Sequence, residues 1–115
     1  MITVREFKNI LNQVNNDWTV KFITGECPNY ETLQVKTISD FDDITKVIFE
    51  PTDEDVIDVV IPVDALRRMF VHGKTDYNLI SMMHTNDKGQ IFDSVIEIAD
   101  LGHSDKVMIV ELIDR

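Results

Sequence analysis

The sequence predicts an α+β fold: one domain in which a mostly antiparallel sheet of about six or seven strands packs against an N-terminal helix, with a short second helix. Three observations point there. Near the N-terminus apolar residues recur at helical spacing, most of the remaining chain alternates with a period of two, and 115 residues with 43% apolar content suffice for one core but not two.

Thr3 followed by Glu6 forms a capping box, and Phe7, Ile10, Leu11 and Val14 lie at i, i+3, i+4 and i+7, so the first helix is expected over Val4 to Val14. Asn15, Asn16 and Asp17 end it, because short polar side chains compete for the backbone. Trp18, Val20 and Phe22 then alternate with Thr19 and Lys21 in a strand closed by Gly25 and the loop around Pro28 and Asn29. Leu33, Val35 and Thr37 mark a second strand, Ser39 to Asp43 a turn, and Ile44 to Glu50 a third strand.

Pro51 and the Thr52–Asp55 run break that strand. Val56 to Ile61, apolar except at Asp58, reads as a buried fourth. Asp64 is placed to cap a helix over Ala65 to His72, with Leu66, Met69 and Phe70 inward and Gly73 as its stop. Asn78 to His84, the turn Asn86-Asp87-Lys88-Gly89, and Gln90 to Ala99 form a hairpin, since Gly89 supplies the left-handed conformation such a turn requires. Leu101 to Asp105 turns the chain into a last strand, Lys106 to Ile113, too apolar on both faces for an open edge. No internal repeat is visible.

The formal net charge of −10 repels phosphates and anionic lipid, which argues against direct nucleic-acid or membrane binding and for a basic partner. Charge concentrates between Ser39 and Asp64, where Asp40, Asp42, Asp43, Glu50, Asp53, Glu54, Asp55, Asp58 and Asp64 face one base, Lys46. The N-terminus is charged where a signal peptide would be apolar, and no apolar run approaches the roughly 20 residues that span a bilayer. A lone Cys27 excludes an intramolecular disulfide. The expected setting is the cytoplasm of a bacterial host cell.

Catalytic and metal motifs are not found. Gly73-Lys74-Thr75 lacks the earlier glycine of a phosphate-binding loop, because Arg68 stands there. His72, His84 and His103 have no ligand spacing and are expected on the surface or in turns. Cys27 has no visible base, and Asp53-Glu54-Asp55 fails the calcium-loop pattern at Ile57 and Asp58. The expectation is a non-enzymatic protein without metal or cofactor. Carboxylates on a rigid face can instead imitate backbone phosphates or accept bidentate bonds from arginines that read base edges, which is nucleic-acid mimicry.

With a short helix before it and Gly25 after it, Asn16-Asp17-Trp18-Thr19-Val20-Lys21 resembles the opening of small acidic phage anti-CRISPR proteins that block type II effector nucleases. That resemblance implies an inhibitor whose carboxylates occupy the basic groove that reads the protospacer-adjacent duplex. It places contacts at Asp17 and Trp18, and more loosely on the acidic run, Asp40, Asp42, Asp43, Asp53, Glu54 and Asp55. Beyond Gly25 the chain departs from that pattern with its second helix and C-terminal hairpin. The partner would be a basic nucleic-acid-binding host protein, and the chain a monomer or weak homo-oligomer. The alternative is a phage structural or assembly accessory protein that self-associates through an exposed patch of Met69, Phe70, Met82 and Met83.

Overall fold

The computed structural model describes residues 1–25, 30–52, 59–102 and 104–114. In chain order the elements are β1 (Ile2–Thr3), α1 (Val4–Leu11), β2 (Thr19–Thr24), β3 (Glu31–Phe41), β4 (Ile44–Pro51), β5 (Ile61–Pro62), α2 (Val63–Phe70), β6 (Leu79–Thr85), β7 (Ile91–Gly102) and β8 (Val107–Asp114). The fold is α+β, as the sequence predicts. Its sheet is mixed and closes on itself: β6, β4, β3, β2, β8 and β7 are each bonded to the next, and β7 returns to β6, forming a barrel. All pairings are antiparallel except β2 with β8 and β4 with β6. Closure explains why β8 can be apolar on both faces: it has a neighbour on each side.

The order of elements is β-α-β-β-β twice, so the chain has an internal repeat that its sequence does not display. The bonding repeats with it. Ile2 and Thr3 pair with Ile80 and Leu79, while Ile61 and Pro62 pair with Val20 and Thr19. The amide of Val4 donates to the carbonyl of Asn78 at 2.8 Å, and that of Val63 to the carbonyl of Trp18 at 3.0 Å, so each helix begins on the other half. Each half also carries one bulge, between Val35 and Thr37 and between Ile98 and Asp100, which bends its long strand around the barrel.

Both helices bury the same spacing of residues, Val4, Phe7 and Leu11 in α1 and Val63, Leu66 and Phe70 in α2. These meet the inward residues Val20, Phe22, Val47, Phe49, Ile80, Met82, Met108, Val110 and Leu112 in one core. Phe7 and Phe70 touch edge to face at 5.3 Å, joining the helices, and Phe22 lies 4.7 Å from Phe49 inside the barrel.

Several expectations are corrected. The first helix stops at Leu11, where Asn12 caps it; the Thr3–Glu6 capping box is present in full. The second starts at Val63 with Pro62 before it, so Asp64 lies inside the first turn and pairs with Arg68 one turn on. Ser39 to Phe41 continue β3, leaving only Asp42 and Asp43 to turn the chain, Asp42 with φ 48°. Of the expected strand from Val56 to Ile61, Val56, Ile57 and Asp58 lie outside the described residues, Val59 and Val60 are in no strand, and Ile61 joins the two-residue β5. Gly89 does turn the β6–β7 hairpin, with φ 78°.

Phe70, Met82 and Met83 are buried and Met69 packs on the core, so the patch expected for self-association does not exist. His84 is not a surface histidine: it is 5% exposed, stacks on Phe92, and pairs through Nε2 with Asp114. His72 is exposed, whereas Cys27 and His103 lie outside the described residues.

Candidate functional site

The described candidates Asp17, Trp18, Asp40, Asp42 and Asp43 fall at two equivalent junctions, where the α–β connection of one half meets the hairpin of the other. At the first, Lys106 donates to Asp17 at 2.5 Å, and Trp18 is half-buried at the margin of the core. At the second, Lys74 donates to Asp40 at 2.6 Å and Thr45 donates to the same oxygen at 2.7 Å; Asp42 and Asp43 form the adjoining turn. The hydrogen bond from Lys106 holds the Asp17 carboxyl below its ordinary value, and that from Lys74, reinforced by Thr45, does the same for Asp40. Asp53, Glu54 and Asp55 lie outside the described residues.

These ion pairs commit part of the predicted charge to structure at the exposed surface. Asp17 and Asp40 fasten the halves together, leaving Asp42 and Asp43 as the unpaired carboxylates of that group among the described residues. Each depressed carboxyl contributes stability that is complete above the ordinary value of 3.8 and is lost as pH falls through the lower folded value. In a Lys74→Met variant the Asp40 titration should move up toward 3.8, read by carboxyl-carbon NMR, while Asp17 does not move. An unchanged Asp40 would show that Lys74 does not hold it.

A second set of carboxylates was not singled out by the sequence. In β8, Met108, Val110 and Leu112 point into the core, so Val107, Ile109, Glu111 and Ile113 point out. Pairing puts Val95, Glu97 and Asp100 of β7 on the same outer face, opposite Ile113, Glu111 and Ile109. Asp93 shares it one step beyond Val95, and exposed Asp105 stands at the end of the hairpin. The β2 neighbour contributes Lys21, opposite Ile109. The face therefore carries Asp93, Glu97, Asp100, Asp105 and Glu111 around a half-buried apolar centre, with Lys21 as the lysine on its strands.

Glu97 and Glu111 are direct cross-strand partners, an arrangement that costs stability because like charges face each other at close range. The equivalent face of the other half differs. There Phe41 and Ile44 pair, Ser39 faces Lys46, Thr37 faces Ile48 and Gln34 faces Glu50 with exposed Lys36 nearby, an outer surface with hydroxyls, apolar groups, two lysines and one carboxylate. The two halves share a frame, but carboxylates outnumber lysines on the β7–β8 face and are balanced by them on the β3–β4 strands.

Comparison with protein-family models, with curated proteins and with solved structures returns no match. Among the described residues, no group of three or more His, Cys, Asp or Glu side chains could hold a metal ion, and no helix is long and apolar enough to cross a membrane.

Proposed function

We propose that this chain is a non-enzymatic inhibitor, of phage or mobile-element origin, that lays its acidic sheet face on the basic nucleic-acid-binding surface of a host protein. A type II CRISPR effector is the partner to test first, on the resemblance at Asn16–Lys21. The observation that carries the reading is the segregation of charge: Asp93, Glu97, Asp100, Asp105 and Glu111 share the outer β7–β8 face, although Glu97 and Glu111 destabilise each other there. A closed barrel fixes the backbone that carries these carboxylates, which lowers the ordering cost of substituting for phosphates. Attraction between opposite fields speeds association and weakens with salt.

Capture from bacterial lysate at low and at high salt tests it. The expected result is a basic nucleic-acid-binding protein retained at low salt, released at high salt, and displaced by competing DNA. Retention that is indifferent to salt overturns the electrostatic reading. It would favour the second reading, self-association or assembly through the β3–β4–β6 face, where Phe41 is 60% exposed beside Met1 and Ile44.

A further inference from the structure

Beside the acidic face lies a groove of about 440 Å³, between the outer sides of β2 and β8 and the end of the β7–β8 hairpin. Val107 and Ile109 form its apolar floor, the Tyr30 ring one wall, and Asp100 and Asp105 stand at its edge. Its shape depends on Gly102. A Cβ there would lie 2.5 Å from Oδ1 of Asp105, so the missing side chain is what lets the Asp105 carboxylate lean inward. Phe41 occupies the corresponding position in the other half: Phe41 pairs with Ile44 as Gly102 pairs with Val107, each as the last step of its hairpin. An aromatic ring thus stands in one groove where a carboxylate enters the other.

The Lys21 ammonium lies over the Tyr30 ring at 5.3 Å, so this ring serves as a cation platform, and an incoming cation has to displace that ammonium to stack there. Apolar floor, aromatic wall and two carboxylates complement a long aliphatic stem ending in a planar cation, which stacks and donates paired hydrogen bonds better than an ammonium does. The geometry points to this groove as the seat of an arginine side chain from a basic partner, anchoring that partner on the acidic face. The assignment rests on the reading that the face docks a basic protein, and it adds where and through which side chain.

The probe is acetyl-arginine methylamide, with the citrulline analogue as its neutral counterpart, titrated into the full chain and followed by amide and methyl NMR. Saturable shifts at Gly102, Val107 and Ile109 are expected with arginine only. Binding should weaken at least tenfold in an Asp100→Asn/Asp105→Asn variant. Gly102→Ala should weaken it as well by pushing the Asp105 carboxylate out, and spectra unchanged outside the groove show that this variant is folded. Absent shifts, equal shifts from citrulline, or shifts centred on Glu97 and Glu111 overturn the groove assignment. The docking reading fails separately: if reversing Glu97 and Glu111 leaves salt-sensitive capture intact, the face is not the interface, whatever arginine does in the groove.

Discussion

A Glu97→Lys variant should melt at a higher temperature than the parent while losing, at low salt, the basic partner proposed above. Glu97 and Glu111 are directly opposite on the outer face, and replacing one by lysine converts repulsion into attraction across the strands. Such a pair is worth roughly 0.2–1 kcal/mol, so the melting temperature should rise by about 1–4 °C. The same change puts a positive charge at the centre of the surface proposed to dock by negative charge, and on that proposal the association rate should fall most at low ionic strength. Thermal melts and surface-bound kinetics on one preparation read both effects. A variant that is stabilised but still captures its partner would move the interface elsewhere; one that is destabilised would show that the two carboxylates are not in repulsive contact.

Phe70→Ala should be the most damaging single change in the described core. Phe70 is fully buried and meets Phe7 edge to face, so truncation removes the contact between helices and leaves a cavity. Large-to-small changes of this type cost about 3–5 kcal/mol, a large share of the roughly 5–15 kcal/mol that stabilises a domain. Urea unfolding should show a lower midpoint with little change in slope. Pairing it with Phe7→Ala in a double-mutant cycle should return a coupling of about 0.5–1.5 kcal/mol, and a value near zero would mean that the two rings do not stabilise each other.

The elements were legible wherever a local rule governed them. Thr3 and Glu6 make the capping box they announce, Gly89 makes the turn, and the alternation around Val20 and Phe22 marks a strand with its inner face correctly assigned. Tertiary partners overrode local signals elsewhere. Val14 continues the apolar stripe of α1 but lies beyond the helix, and Ser39 to Phe41, rich in turn formers, are held as strand by β4. The repeat was hidden because its matching residues share size and polarity more than identity: Phe7 corresponds to Leu66, Leu11 to Phe70, Phe22 to Met82. The α–β connection is also one residue longer in the second half, so no constant spacing relates the two.

The predicted acidic cluster is one of sequence position, in which Asp40, Asp42 and Asp43 precede Asp53, Glu54 and Asp55. The face described above instead joins residues of two strands. Alternation alone would place Glu97 and Asp100 on opposite sides; the bulge between Ile98 and Asp100 brings them to the same one. Only the register of β7 against β8 shows Glu111 facing Glu97.

The parallel pairing of β2 with β8 also bears on how the chain is made. Thr19 finds its partner at Val107, so β2 waits until residue 107 has left the ribosome before it gains that neighbour. Until then Val20 and Phe22 have only part of their final surroundings, although the start of α1 waits only for Asn78 and that of α2 finds Trp18 already made. Closure over such a sequence distance favours slow folding, on the order of milliseconds to seconds, with a late step in which the C-terminal strand enters. During that interval the incomplete barrel has an open edge, and the formal net charge of −10 opposes pairing between neighbouring copies.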